Sequence, residues 1–255
     1  MGIRINTNVA SINGQRNLRG TNQDMRKAME KLSSGYRINK AGDDAAGLAI
    51  SENLKAQIRG YNMNIRNAED GISLVQVAEG GLNETSQILI RLRELGIQAA
   101  SDTIGPDERQ FLDREYQHLL NEIGRISEGT EFNKTTLLNG KGKIFDIQVG
   151  IRNSPQVDRI VFDGGRADAT LKGLGLENLN VAGKVEAQQS LSVIDTAIQR
   201  VSGARADFGA LQNRLSSTIN NLAISVENLS AANSRVRDAD MANETAELSR
   251  NNIML

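Results

Sequence analysis

From Leu54 onward, apolar residues recur in alternating steps of four and three: Leu54, Ile58, Tyr61, Ile65, Ala68, Ile72 and Val75. That is the period of about 3.5 residues shown by helices packed along a seam. One additional short step to Ala78 shifts the phase before Leu82, Thr85, Leu89 and Leu92 resume it, which overwinds a supercoil without ending the helix. Gly80-Gly81 weakens the helix by about 1 kcal/mol per glycine and predicts a bend. The helix should end near Ser101, ahead of Gly105-Pro106. Pro106 suits the first position of a second helix, with Asp107 and Glu108 complementing its dipole. There Leu112, Tyr116, Leu119, Ile123 and Ile126 repeat the pattern until Gly129, and so short a link predicts antiparallel packing.

The period changes after Thr136. Phe145, Ile147 and Val149 alternate with Asp146 and Gln148, and Ile160 and Phe162 follow the turn signal Asn153-Ser154-Pro155, which predicts a β-hairpin. Residues 164–183 are glycine-rich and carry at most a short strand or turn. A third long helix begins near Glu186, with Leu191, Ile194, Ile198, Val201, Phe208, Leu211, Leu215, Leu222, Val226 and Leu229 on one face. The fold class is therefore mainly α, a long antiparallel coiled-coil-like helical bundle with a small β-hairpin region.

Two arms flank this bundle. Residues 2–32 carry Ile5, Val9, Ile12, Leu18, Met25, Met29 and Leu32, interrupted by Asn, Gln, Gly and Arg. Residues 235–255 carry Val236, Met241, Ala246, Leu248, Ile253 and Leu255. Such weak stripes do not overcome helix nucleation and ordering entropy alone, so the arms should become helical when partners cover them. The alternative is that they extend the bundle. Ser33-Ser34-Gly35 and the residues up to Asp43-Asp44 form the break between the first arm and the long helix.

Composition sharpens the bundle reading. The 255 residues include no Trp, five Phe, three Tyr and two Pro, so Ile, Leu, Val and Ala must build the core. Charge is nearly balanced, 30 basic against 31 acidic residues without a block of one sign, which points to neither nucleic acid nor a membrane surface. Absence of Cys excludes disulfides and thiolate chemistry. No run of about 18 apolar residues could span a bilayer, and MGIRINTNVASING lacks the apolar core of a cleavable secretory signal.

Candidate chemistry is sparse. His118 is the single histidine, on the second helix with no Ser, Asp or metal-ligand constellation beside it. Asp43-Asp44, preceding Ala45-Ala46-Gly47, suits an N-cap and a first-turn charge better than a carboxylate dyad. Asn139-Gly140-Lys141-Gly142-Lys143 lacks the phosphate-loop spacing and reads as a turn leading into the hairpin. No cofactor or metal site is expected, and the pattern argues against an enzyme.

The chain resembles bacterial flagellins. INTNVASINGQRNL, LSSGYRINKAGDDAAGLAISENL and IRNAEDGISLVQVAEGGLNE fit that family, as do IRLRELGIQAAS, LLNEIGRISEGTEFN and the long stretch IDTAIQRVSGARADFGALQNRLSSTINNLAISVENLSAANSRVRDADMANE. The likeness covers most of the chain, in order. It implies a structural subunit that polymerises through its terminal helices into the flagellar filament. Residues 1–33 and 236–255 would form the inner D0 layer and 34–43 the spoke. Residues 44–140 and 184–235 would form the D1 bundle, with 141–183 its hairpin and irregular part. Assembly would run through Ile5, Val9, Ile12, Leu18, Met25, Leu32, Val236, Met241, Leu248 and Ile253.

The same resemblance implies type III export with a chaperone, growth beneath a cap, junction proteins at the hook, and a slim filament without large outer domains, extracellular with a sheathed or periplasmic filament as the alternatives. It matches Arg91, Leu95 and Glu115 to the surface read by a flagellin-sensing Toll-like receptor. Flagellins continue past a stretch like NNIML with another apolar helix, so a C-terminal truncation is expected. The competing reading is a hook–filament junction protein on the same terminal-helix plan. A secreted enzyme would need an insertion that residues 141–183 are too short to supply.

Overall fold

The computed structural model describes residues 8–141 and 143–255. Six helices and four short strands follow in the order α1 Val9–Ser34, α2 Ala45–Ala100, α3 Pro106–Gly129, β1 Glu131–Phe132, β2 Thr135–Thr136, β3 Ile144–Gln148, β4 Arg159–Asp163, α4 Leu171–Leu174, α5 Lys184–Arg237 and α6 Met241–Met254, with a 3-10 turn at Gly164–Ala167 after β4. Two compact units result. One is Tyr61–Ala223; the other combines the described residues up to Gly60 with Ile224–Leu255. α2 and α5 contribute to both.

In the unit Tyr61–Ala223, α2, α3 and α5 bury their stripes against one another. Ala68, Val75, Ala78, Leu82, Leu89, Leu92 and Ala99 of α2 are buried, together with Thr85, so the predicted seam and its phase shift at Ala78 are both present. Arg93 Nε donates to Asp195 Oδ1 at 2.7 Å and Gln212 Nε2 to Glu79 Oε2 at 3.0 Å, which makes α2 and α5 antiparallel. α3 starts at Pro106, as the sequence predicts, with Asp107 and Glu108 in its first turn. Arg109 then donates to the carbonyls of Ala99 and Ser101, both at 2.9 Å, satisfying the open C-terminus of α2.

The buried face of α3 is Tyr116, Leu120, Ile123 and Ser127 rather than the predicted Leu119 and Ile126, of which Leu119 packs only partly. Tyr116 is wholly buried, and burial pushes its pKa up to about 12 against the opposing effect of the Ser190 hydroxyl beside it. Val226 and Leu229, expected on the buried face of α5, are only half-buried.

The predicted hairpin is β3–β4, antiparallel with Phe145 opposite Phe162 and Ile147 opposite Ile160. Its inner face carries two of the chain's few aromatics and meets a third: Phe145 approaches Phe162 edge-on at 6.0 Å, and Phe162 packs on Phe208 of α5 at 5.2 Å. The hairpin sits on Gly71, where a Cβ would come within 2.6 Å of Ile147 Cδ1, and Asn67 Nδ2 donates to Gln148 O at 3.1 Å.

A second hairpin, β1–β2, is absent from the sequence reading. Its two-residue turn, Asn133-Lys134, has both φ values positive (47° and 62°), the backbone twist that tight hairpins require. Residues 164–183, expected to be irregular, hold the 3-10 turn and one turn of helix, α4. Asn139 Oδ1 accepts from Lys141 N–H, and Gly140 takes φ 68°, so the turn into β3 forms where expected; Gly142 lies outside the described residues.

Gly80-Gly81 does not interrupt α2, which is helical throughout Ala45–Ala100. Gly81 is a packing site instead: a Cβ there would meet Thr130 Oγ1 at 2.6 Å and Leu138 Cδ1 at 2.8 Å, whereas Gly80 faces open space. Gly80→Ala is therefore expected to raise stability by about 0.5–1 kcal/mol through helix propensity. Gly81→Ala is expected to lower it by about 1–2 kcal/mol through overpacking. Urea unfolding of the two variants side by side checks this; shifts of equal sign would remove the packing role of Gly81.

Candidate assembly surface

In the other unit, both helix breaks fall at the same place. α1 ends at Gly35, whose left-handed conformation (φ 73°) lets its N–H donate to Lys31 O. Tyr36 then pairs with Asp238, beyond the end of α5, as a single antiparallel bridge. Arg37 N–H donates to Arg237 O at 2.7 Å and Ala239 N–H to Gly35 O at 2.9 Å, so each break satisfies the other's backbone. Arg237 covers the joint. Its guanidinium lies 4.6 Å above the Tyr36 ring and donates to Glu52 Oε1 at 2.6 Å, which holds the Glu52 carboxyl below its ordinary range. Ile38 is buried beneath, and buried Ser51 donates to Asn233 Oδ1 at 2.9 Å.

Asp43 and Asp44 divide the roles expected of them jointly. Asp44 is the cap, accepting from Gly47 N–H at 2.8 Å. Asp43 is not a first-turn charge; its carboxylate turns back to accept from the N–H groups of Asn39 (3.1 Å) and Lys40 (2.9 Å) and closes the link. The N–H of Lys40 and then that of Asn39 lower the pKa of Asp43, while Glu30 hydrogen-bonds the Lys40 ammonium and raises its pKa.

α1 and α6 pack along each other beyond the link, each capped by its own side chain: Asn8 accepts from Ser11 N–H, and Asp240 from Ala242 and Asn243. Both arms are helices within a single chain, whereas the sequence reading expects them to become helical under a partner or to extend the bundle; residues 9–20 are exposed at every position, so α6 covers α1 only from Thr21 on. The cover is one-sided. Of the predicted assembly residues, Val9 (71%), Ile12 (50%), Leu18 (44%), Met241 (52%) and Ile253 (85%) are exposed. Met25, Leu32 and Leu248 are half-buried. Val236 belongs to the last turn of α5, where its carbonyl accepts from Arg37, and Ile5 lies outside the described residues. Met29, Met254 and Leu255 add to the exposed apolar set. Sequence reasoning missed Lys31 and Glu244, which form an ion pair at 2.7 Å; the spacing of Glu244 from Leu248 was its available signal.

The three residues matched to receptor contact separate. Arg91 bridges Glu115 (2.8 Å) and Glu94 (3.0 Å) on the exposed surface, and Glu115 and Glu94 raise its pKa. Leu95 is 1% exposed and belongs to the core, so it does not lie on that surface. The step from Leu92 through Leu95 to Ala99 places it on the buried stripe. His118 is exposed. Among the described residues no cluster of three or more His, Cys, Asp or Glu could hold a metal ion, and no helix is long and apolar enough to cross a membrane.

Residues 5–143 match the family description of the bacterial flagellin N-terminal helical region, and residues 191–255 that of the flagellin C-terminal helical region. The chain belongs to the bacterial flagellin family. A flagellin of Halalkalibacterium halodurans is 44% identical over 98% of this chain and 91% of its own length. One from Bacillus subtilis is 43% identical over 99% and 92%. The crystal structure of Bacillus cereus flagellin is similar at a TM-score of 0.55 and 33% identity, covering 62% of this chain and 88% of that one. Flagellins are structural proteins that polymerise into the flagellar filament, and the mainly α fold is theirs.

The flagellin link should be acid-sensitive. A carboxylate whose folded pKa is lowered contributes stability above its unfolded value, and that contribution is lost as pH falls through the folded value. Protection of the Asn39 and Lys40 amides from hydrogen exchange is expected to be full at neutral pH and to fall below the ordinary aspartate value of 3.8. Asp43→Asn should lower that protection at neutral pH and flatten its pH dependence; an unchanged profile would show that Asp43 does not hold the link.

Proposed function

We propose that this chain is an extracellular filament subunit whose paired terminal helices are the polymerising surface, with a second copy of the chain as occupant. The observation that carries the reading is the set of apolar side chains left exposed on α1 and α6, from Val9 and Ile12 to Ile253 and Met254. A helical homopolymer covers such side chains, on whichever side of the helices they lie, with identical neighbours. Residues 1–33 and 236–255 form the inner layer in this reading, 34–43 the spoke, and 44–140 with 184–235 the surrounding bundle, whose polar faces make lateral contacts. Export through the type III apparatus with a chaperone, growth beneath a cap and attachment through junction proteins belong to the same proposal, which family membership supports. Both relatives are flagellins along nearly their whole length, and nothing favours the junction role itself.

Ile12→Asp and Ile253→Asp, at exposed positions of the two arms, are each expected to leave the circular dichroism of the monomer unchanged. Each should raise the concentration needed for growth on filament seeds by about tenfold or more, since burying such a side chain contributes roughly 1.5–3 kcal/mol. Seeded growth followed by sedimentation and electron microscopy checks this, and wild-type growth by both variants would remove the arms from the interface.

Recognition by the flagellin-sensing Toll-like receptor is a second proposed interaction, resting on exposed Arg91 and Glu115. Arg91→Ala is expected to reduce receptor activation by the monomer with little change in stability. Leu95→Ala, which opens a core cavity, should instead destabilise the protein by about 2–5 kcal/mol. A native monomer that leaves receptor-bearing cells silent would end this proposal.

A further inference from the structure

The seam between the two arms is polar at the buried positions of α6. On α6 the buried residues are Glu244 and Asn251, one heptad apart, with Leu248 half-buried between them. On α1 only Ala28 is buried, while Thr21, Met25, Lys31 and Leu32 are half-buried. Positions 21, 25, 28 and 32 on one helix and 244, 248 and 251 on the other advance by threes and fours, the spacing of a two-helix seam. Within it Lys31 Nζ donates to Glu244 Oε1 at 2.7 Å, the two side chains 29% and 12% exposed. Glu244 Oε2 is buried and has no hydrogen-bond partner among the described residues.

This is a poor way to stabilise a helix pair. Both charges lose hydration, one carboxylate oxygen goes unanswered, and an apolar side chain of similar volume would bury at no such cost. It is, however, a selective way to align one. The pairing of Tyr36 with Asp238 and of Ala239 N–H with Gly35 O fixes where the two helices start, but beyond it a seam of Met, Ala and Leu tolerates a shift of α6 along α1, because each apolar position exchanges one apolar neighbour for another. A slip at Lys31 and Glu244 leaves two partly buried charges without partners. A single polar position in a coiled-coil seam fixes register by the same physics.

Register matters here because the outward apolar residues come from both helices. Val9, Ile12, Leu18 and Met29 lie on α1; Met241 and Ile253 lie on α6. Sliding one helix against the other changes the combined surface, and a helical homopolymer grows only if every copy presents the same one. We infer that the Lys31–Glu244 pair is a register lock: it positions α6 against α1 and so specifies the face offered to the next copy of the chain. Both are positioning residues. The inference rests on the filament-subunit reading for its consequence, but not for the alignment itself.

Because the chain has no cysteine, register can be read by cross-linking in the full-length protein. Ala28→Cys with Leu248→Cys reports the native alignment, one turn inward from the ion pair on each helix; Ala28→Cys with Asn251→Cys reports a slipped one. In the parent background, mild oxidation is expected to give the first cross-link almost alone. Glu244→Leu should retain helicity by circular dichroism, raise the slipped cross-link on the order of tenfold relative to the native one, and slow growth on filament seeds. The exchange Lys31→Glu with Glu244→Lys should restore both the single register and growth. Should Glu244→Leu lose helicity, Glu244→Gln and Lys31→Met serve in its place with the same expectations.

A single native register in the uncharged variants, or no recovery on charge exchange, would overturn the lock. A slipped variant that grows as the parent does would sever alignment from assembly and overturn the inference equally. Failure of the parent chain itself to grow on seeds would count against the filament-subunit reading, with the cross-links still judging the lock.

Discussion

None of the long helices of this chain can bury its apolar stripe on itself, and everything else in the structure follows from that constraint. α2, α3 and α5 are apolar on one side only, and with so few aromatics the shared core is built mainly from Leu, Ala, Val and Ile. Small side chains contribute little apolar area each, so burial depends on close approach and on length. Ala68, Ala78, Ala99, Ala187 and Ala197 sit in the core, and Gly71, Gly81 and Gly96 lie where a Cβ would meet a neighbouring side chain. The few large aromatics are spent where geometry changes: Phe145, Phe162 and Phe208 fasten the hairpin to α5, and Tyr116 fills the centre of α3.

In the unit that carries the arms, the same constraint appears as a coincidence of breaks. A long helix that continued past Ser34 or Arg237 would carry its stripe into solvent. Instead, Gly35 and Asp238 end both helices at one level, and the chain passes through a single bridge whose backbone groups answer each other. The Arg37 and Arg237 side chains, the Asp43 carboxylate and the Asp44 cap hold that bridge from separate directions. A break built from backbone pairing and short charged contacts, with Ile38 and Ser51 buried near it, fixes where each arm starts without a large core.

The long helices, the Pro106 start, the phase shift at Ala78 and the β3–β4 hairpin were legible because each expresses a period or a turn residue. What was not legible had a physical reason. On α3, Leu119 and Leu120 are adjacent and equally apolar, so periodicity alone could not choose the buried one. β1–β2 is too short for alternation, leaving Asn133 as its main local signal. Gly80-Gly81 read as a weakness because propensity knows nothing of Thr130 and Leu138 across the gap. Asp43 and Asp44 look alike in sequence, yet only one residue can precede the first turn of α2. Family resemblance put Leu95 on a recognition surface, whereas its own place in the seam puts it inside.

The arms show most plainly why apolar pattern and burial need not coincide. Several of their apolar residues are outside, while Glu244, Asn251 and Ala28 occupy the buried positions of the pair. For a protein meant to remain a monomer this arrangement would be inside out. For a subunit it divides the work between two classes of contact. On the proposed reading, the polar seam aligns α1 with α6 inside one chain, and the exposed apolar side chains are left for association between chains. An apolar seam would hold the pair more tightly but would accept more than one alignment. Specificity inside and adhesion outside is the distribution a homopolymer requires, because growth is arrested as readily by a misaligned subunit as by a weakly bound one.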